Sequence, residues 1–566
     1  MREKIKQNWS MITVIIAILI TSICMTIFIT KKKGWHEDEI FSYGSSNCKY
    51  DNLLQRFDYK DSLNQLIDEK IMDSNPLKMI ENITYYLGHQ EEFRQELGSK
   101  IEKEVPVWKT NEQAKDYMTV SSDEILSYWS VYYNQARDVH PPLFYMLVHL
   151  ISSFYLNHFS KYIIFIINLG FYIASCYVIH KMMKLFGKEK LSAITILLYG
   201  LSIGAISIVM FQRMYIMLTF FMLLYLYLNL KITKNSFEID KKLKRQLTWT
   251  IFLGFLTQYY FCIYVVMVAG IMCILLGKNK KVDMLKRYIW CHIKAALIGI
   301  LIFPASIYHI FFSYRGVAGG TAEVGYIGRV KEYLEMIFYA FSIPKELGYV
   351  ITFILVILLI YKLIKGKRKD RIVLITIPVV LFTLVIAKIA PYMNIRYIAP
   401  VFPIICVGVI LSVNSIVKKI ASFIIKKEVK YVGIMVIALI TVSISVYGLL
   451  NSKPQFLYEE YEQRIEIAEK YQDKKMVYVG GANFNHLQDM EEFLRYHNFI
   501  ITTTWELEVL KDNEGLKDEK EFILNVKCWI QDFDENLQKV LEYTNAKDYE
   551  LLVDDGQSRV YKVTRT

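Results

Sequence analysis

The chain has 566 residues, 54% of them apolar, 14% aromatic and 22% charged, with a formal net charge of +12. The apolar residues gather in blocks of about twenty, the length that crosses a ~30 Å hydrocarbon core, which excludes an ordinary soluble domain and predicts a polytopic membrane protein. In a soluble protein the positive balance would point to nucleic acid. Here Lys and Arg concentrate between the apolar blocks, where they set membrane orientation, and no nucleic-acid partner is expected.

The first block, 10–30, follows Arg2, Lys4 and Lys6 and so begins like a signal peptide. It is too long for a signal core and lacks a small-x-small cleavage site, so we read it as a retained span. Just past it stand His36, Glu37, Asp38 and Glu39, which open a long loop over 31–140 containing Pro106 and Trp108. That loop closes on Arg137-Asp138-Val139-His140-Pro141-Pro142. The segment 142–159 is apolar but holds His149, Ser152, Ser153, Asn157 and His158. Making it a crossing would invert every later loop, so it is expected to lie along the outer surface, as is 331–341 beside Pro344.

Further spans are expected at 161–180, 191–209, 215–230, 248–258, 260–276, 290–310, 348–364, 372–389, 397–415 and 431–450, about eleven in all. Lys-rich loops at 181–190, 231–245, 278–287, 362–371 and 418–430 mark the cytoplasmic side. Lys31-Lys32-Lys33 is the one breach of that charge rule. The N-terminus is then cytoplasmic, while the acidic loop and everything after 450 lie outside a cell (plasma) membrane. The chain thus divides into a membrane domain over 1–450, including the loop, and an extracytoplasmic domain over 451–566. In the latter, 476–479, 499–502, 522–525, 549–553 and 560–563 read as strands, interleaved with helical stretches at 489–497 and 534–544. This is the pattern of a small α/β domain. Gly480-Gly481 is only a turn signal, without the further glycines of a dinucleotide site. The eight cysteines have no metal-type spacing and sit mostly in apolar segments. Cys48 and Cys528 both fall outside, where they could pair, with two free thiols at least as well favoured.

On this topology the unusual polar groups near span ends share the outer face. They are Asp38 and Glu39, Asp138 and His140, Gln212-Arg213-Met214-Tyr215, Thr257-Gln258-Tyr259-Tyr260, Arg315, and Asn394-Ile395-Arg396-Tyr397. Each alone has a bland account: an interfacial Arg snorkels to lipid phosphate, and tyrosines form aromatic belts. Their convergence from separate parts of the sequence argues for a site. Carboxylates, arginines and tyrosines at the outer edge of a bilayer, with no nucleotide motif, suit transfer of a sugar from a polyprenyl-phosphate carrier. The glycosyl-phosphate bond supplies the energy, so no cofactor is expected. A carboxylate takes the proton from the acceptor hydroxyl as that oxygen attacks the anomeric carbon, inverting it. Arg, His and Tyr neutralise the departing lipid phosphate.

At these residues the chain resembles the GT-C membrane glycosyltransferases, in particular bacterial protein O-mannosyltransferases and the lipid A aminoarabinose transferase. The resemblance rests on Asp38-Glu39 after the first span, on Asp-x-His-Pro-Pro-Leu over 138–143 and on Arg213-Met214-Tyr215. It also rests on Thr257-Gln258-Tyr259-Tyr260 and on Arg396-Tyr397 followed by Pro400 and Pro403. It implies that Asp38 is the general base, with Glu39 and Asp138 in support. Arg396 and Tyr397 would hold the carrier phosphate, and His140, Arg213, Tyr215, Gln258, Tyr259 and Tyr260 would line the same cavity. Many relatives carry an acid two places before the Arg of the Arg-x-Tyr element, whereas this chain has Phe211 there. No metal is expected. The expected partners are a lipid-linked sugar, membrane lipid and an envelope acceptor. The competing readings are a flippase or transporter for a lipid-linked saccharide, and a polysaccharide polymerase or ligase.

Overall fold

The computed structural model describes residues 2–49, 66–67, 69–71, 73, 75–101, 105–311, 325–365, 369–424, 429–481 and 485–566; Arg315 lies outside them. The chain forms two compact units. The first comprises Met1–Lys31, Gln135–Leu147 and Lys161–Leu457, and the second Lys32–Asn134, Val148–Ser160 and Tyr458–Thr566. The second unit takes up its C-terminal part at Tyr458 and includes most of the long loop after the first span.

Among the described residues, seven helices are long and apolar enough to cross a membrane: Trp9–Thr30, Lys161–Leu185, Tyr215–Lys234, Tyr260–Lys278, Asp370–Ile389, Ala399–Lys419 and Gly433–Asn451. Three bent pairs also pass when each is taken together. Glu189–Gly200 turns 63° into Ile203–Met210, Val282–Ile302 turns 107° into Ala305–Phe311, and Tyr326–Ala340 turns 101° into Lys345–Tyr361. These account for every expected span but 248–258. That segment falls in the 15-residue helix Lys241–Phe255, whose first turns carry Lys241, Lys242, Lys244 and Arg245. It is shorter and more charged than a full apolar span, yet it carries the chain back across, because Tyr215 and Tyr260, each the first residue of its helix, both meet Tyr397.

The helix Leu143–Ser152 has ten residues and reaches only about half the thickness of a hydrocarbon core, as expected of a segment that does not cross. The second expected surface segment, 331–341, falls in Tyr326–Ala340. Along the first span, Ile15, Leu19, Ile23 and Ile27 form an exposed stripe four residues apart, while Val14, Ala17, Thr21 and Met25 are buried. Leu and Ile gain little by leaving lipid, so packing is left to the small and polar residues of the other face. The protein is therefore a mainly helical, multi-pass membrane protein with a small α/β domain, the fold class its sequence predicts.

In the second unit the five expected strands all form, as Met476–Gly480 (β2), Asn498–Thr503 (β3), Glu521–Lys527 (β4), Ala546–Asp554 (β5) and Ser558–Arg565 (β6). A sixth, Trp108–Thr110 (β1), comes from the long loop. The sheet order is β1-β3-β2-β4-β6-β5. β2 pairs in parallel with β3 and β4, and the remaining pairs are antiparallel. Val477, Val479, Ile500, Leu524 and Val526 face a core closed by Leu537 and Val540 of the helix Phe533–Tyr543. Trp108 packs against that core and donates its indole N–H to Asn513 at 2.7 Å, which fixes the loop to the sheet. Gly481 has a packing reason, since a Cβ there would stand 2.5 Å from the Trp529 ring. Cys48 is buried and Cys528 half-buried, both as thiols.

Candidate functional site

The expected site residues of the first unit fall in breaks between helices or at the first residue after one, where backbone groups are not consumed by a helical ladder. Asp138 and His140 lie between Tyr128–Arg137 and Leu143–Ser152, and Arg213 between Ile203–Met210 and Tyr215–Lys234. Gln258 and Tyr259 precede Tyr260–Lys278, and Arg396 and Tyr397 sit in a 3₁₀ turn before Phe402–Ile424. Tyr215 and Tyr260 are the first residues of their helices.

The breaks are tied to one another. Leu143 N–H donates to the Leu256 carbonyl at 3.1 Å, which holds the His-Pro-Pro turn to the Gln258 break. Asn168 donates to the carbonyls of Val209 and Phe211 at 3.2 and 3.0 Å, and Gln212 donates to the Lys161 carbonyl at 2.6 Å. Gln258 accepts from the Tyr260 amide at the start of that helix.

Two groups of side chains result. In the first, His140 Nδ1 and Asp138 Oδ2 are 2.7 Å apart, and Arg213 Nη2 lies 3.3 Å from His140 Nε2. With its proton on Nδ1, His140 donates to Asp138 and accepts from Arg213, so the three form a line from carboxylate to guanidinium. Arg213 also lies 5.9 Å from the Tyr145 ring centre. In the second group, the Arg396 guanidinium stands 5.3 Å from the Phe211 ring and 5.0 Å from the Tyr397 ring, and donates to the Tyr397 hydroxyl at 3.1 Å. The rings of Tyr215 and Tyr260 meet Tyr397 edge-on at 6.1 and 5.6 Å. Phe211 therefore bridges the groups: it walls Arg396 and lies two residues from Arg213. Both arginines are at least 95% buried, 3% and 5% exposed. A buried guanidinium walled by aromatic faces is suited to planar, bidentate recognition of an oxyanion.

Sequence reasoning missed His309. It sits in the short helix Ala305–Phe311, accepts from the Tyr259 hydroxyl at Nδ1 (2.9 Å) and donates from Nε2 to the Ala136 carbonyl (3.1 Å). It thus fastens the Tyr259 break to the turn that carries Asp138. A lone His in an apolar block is the only sequence signal. Asn168 and Tyr145 carry no sequence signal, and Phe211 stands out only as the residue in place of the relatives' acid.

Asp38 and Glu39 belong to the second unit, in the first turn of the helix Glu37–Asn47. His36 caps that helix: its Nδ1 accepts from the Asp38 amide at 3.1 Å, and Glu39 accepts from the His36 amide at 2.7 Å. Three acids in a first turn sit favourably at the positive end of the helix dipole. The Asp38 carboxylate is 20% exposed and 3.7 Å from His36 Nδ1. Glu39 is different: it is fully buried, and Lys32 donates to both its oxygens at 3.0 and 2.9 Å. Burial pulls the Lys32 ammonium below its ordinary pKa, and Glu39 opposes that pull. Lys32 also lies 5.2 Å from the rings of Trp35 and Tyr458, and Trp35 donates to Glu491 at 2.8 Å. The adjoining Gly34 admits no side chain, because a Cβ would come within 2.3 Å of Tyr461. Lys33 pairs with Glu462 at 2.6 Å. The breach of the charge rule is thereby explained, since two of its three lysines are matched by carboxylates. Among the described residues no group of three His, Cys, Asp or Glu side chains is placed to hold a metal ion.

Membrane helices broken at polar side chains and joined in sequence to a mixed α/β unit make up a fold with a solved counterpart. The solved structure of ArnT from Cupriavidus metallidurans bound to undecaprenyl phosphate shares it, with a TM-score of 0.51 at 10% identity over 98% of each chain. The same protein in its apo state aligns with a TM-score of 0.45 at 9% identity, over 75% of this chain and 87% of that one. No family model and no curated protein matches the sequence. The aminoarabinose-transferase-like, GT-C fold expected from the motifs is borne out.

Proposed function

We propose that this protein transfers a sugar from a polyprenyl-phosphate donor to an acceptor of the cell envelope, at the outer face of the membrane. The observation that carries the reading is the pairing of Arg396 with Tyr397 beside the Asp138–His140–Arg213 line, all at breaks between helices. A phosphate that must stay near a bilayer, yet be neutralised away from water, needs this combination of buried guanidinium and aromatic wall. The helices beginning at Tyr215, Tyr260 and Phe402 add the positive ends of their dipoles. The fold-mate named above was solved with undecaprenyl phosphate bound, which supports a carrier of that class.

In the proposed reaction an acceptor oxygen attacks the anomeric carbon, and the bond from that carbon to the phosphate oxygen breaks. Asp38 takes the acceptor proton, and the carrier leaves as a lipid phosphate stabilised by Arg396, Tyr397 and Arg213. The base assignment comes from the motif. Glu39, engaged by Lys32 and the His36 amide, is a positioning residue for the helix start that carries Asp38. Asp138 orients His140, and through it Arg213.

Purified protein given a panel of polyprenyl-phosphate sugars tests the reading. Release of lipid phosphate, with stoichiometric sugar transfer to an envelope extract, is the expected result. Failure to turn over any lipid-linked sugar, with translocation of such a lipid across vesicles, would make the protein a flippase.

A further inference from the structure

Two helices of the first unit set out side by side from the membrane face opposite Arg396. Tyr260 meets the Tyr397 ring, its 19-residue helix ends at Lys278, and Lys281 in the following turn pairs with Glu238 at 2.8 Å. That ion pair joins the turns that lead into the helices Lys241–Phe255 and Val282–Ile302. The two helices run parallel and in register. Cys291 hydrogen-bonds Thr248, and about two turns further along each helix a Cβ on Gly299 would stand 2.6 Å from the Phe255 ring. At about 100° per residue, parallel helices that meet at Thr248 and Cys291 turn the residue after the first and the residue before the second to the same side. Those residues are Trp249 and Trp290, both exposed and both about 12 Å from the helix starts. The same construction puts Arg245, one turn before Trp249, and Lys294, one turn after Trp290, on that side, and both are exposed.

Paired tryptophans at one height mark the head-group level of a bilayer. A lysine in a loop is a common mark of topology and needs no ligand. Lys294 is different. It is set about 6 Å deeper than the tryptophans, on a surface otherwise given to the exposed Ile293, Leu297 and Leu301. An ammonium there reaches back toward the head groups, while Arg245 reaches to the same level from below. The one acid among the residues of the two helices is Asp283, in a first turn about two turns below Trp290. The face therefore offers a cation on either side of two indoles, with an apolar track leading on, which is the chemistry of an anionic head group and its acyl chain.

We propose that this face binds an acidic phospholipid, with its phosphate between Arg245 and Lys294 and an acyl chain laid along Leu297 and Leu301. A zwitterionic lipid brings its own cation to the same place and is the poorer match. A polyprenyl carrier engaged for transfer has its phosphate at Arg396, at the other membrane face. The site is therefore separate from the proposed reaction centre and independent of its chemistry.

Full-length protein in detergent, offered equimolar phosphatidylglycerol and phosphatidylcholine, is read by native mass spectrometry. Wild type is expected to retain phosphatidylglycerol in preference. Arg245→Gln with Lys294→Gln, both at exposed positions, should lower that preference about tenfold, since two charges are lost at the phosphate. Lys234→Gln with Lys278→Gln is the charge-matched control. It removes two exposed cations from the same membrane face, at the last residues of the helices Tyr215–Lys234 and Tyr260–Lys278, and should leave the preference unchanged. Equal retention of the two lipids by wild type would overturn the proposal. So would equal losses in the two double variants, which would make the effect one of general surface charge, or mole-for-mole displacement of phosphatidylglycerol by added polyprenyl phosphate.

Discussion

Asp138 and His140 are joined at 2.7 Å, carboxylate oxygen to Nδ1, and this contact sets which ring nitrogen faces Arg213. The residues are two apart in sequence, and Pro141 and Pro142 follow at once. Proline restricts the backbone of the residue before it, so the turn presents the imidazole in one direction. If His140 serves to aim Arg213 at the carrier phosphate, His140→Ala should weaken donor binding by about tenfold to a hundredfold, the effect of a lost hydrogen-bond partner at 1–3 kcal/mol. Donor affinity measured by titration, unchanged in this variant, would remove His140 from the phosphate site.

His309 is expected to matter without touching substrate. His309→Leu strands the Tyr259 hydroxyl and the Ala136 carbonyl, at about 1–3 kcal/mol for each buried group left unsatisfied. Activity should fall and the thermal midpoint should drop. His309→Gln, which keeps a donor and an acceptor, should recover part of both. Equal activity in Leu, Gln and wild type would show that the tie is not needed.

The Lys32–Glu39 pair gives a stability prediction with an internal control. Both groups are buried, so removing one partner leaves an uncompensated charge, and Lys32→Met or Glu39→Gln should each cost about 3–5 kcal/mol. The double change Lys32→Met with Glu39→Gln should recover most of the Lys32→Met loss, because a neutral Gln leaves no buried charge and can still accept from the His36 amide. Denaturation midpoints of the three variants decide it. Additive losses in the double variant would argue against a coupled pair.

The second unit carries a buried ionic cluster. Arg464 meets Asp489, Glu492 and Asp555 at 2.5, 2.7 and 2.6 Å, and Lys527 meets Asp489 at 2.7 Å. Burial pushes Glu492 up to about 7 from its ordinary 4.5, with Asp489 adding to the rise and Arg464 opposing it. The folded state thus holds this proton to higher pH than the unfolded chain. The stability it contributes is complete below pH 4.5 and declines as pH rises to about 7. Asp489 is shifted downward by Lys527 and Arg464, against the effect of its burial, so its contribution is lost only on the acid side of its ordinary 3.8. Glu492→Gln should therefore flatten the fall in thermal midpoint between pH 5 and 7. A slope equal to that of wild type would contradict this.

What the sequence made legible was local. Strands β2 to β6 announced themselves by short runs of Val, Ile and Tyr, and Arg396-Tyr397 or Asp138 to Pro142 by residues close in the chain. Contacts between remote segments were not legible. Ala136 and His309 are 173 positions apart, and β1 finds β3 across nearly four hundred residues through only three paired positions. The segment 248–258 was legible by its apolar run, but not its helix start, which lies at Lys241 and spends the first turns on lysine and arginine. Glu39 read as a partner of Asp38 in chemistry, and only the placement of Lys32 shows that its oxygens are engaged. Adjacent acids have the same sequence signal, and burial separates them.

The most direct test compares lipid-phosphate release by wild type and by Asp38→Asn, on whichever polyprenyl-phosphate sugar the protein turns over. Asn preserves size and the helix start but cannot take a proton. The account predicts a fall of about a hundredfold or more in turnover, in line with the worth of a general base, with donor binding kept. Turnover in Asp38→Asn equal to that of wild type would contradict it.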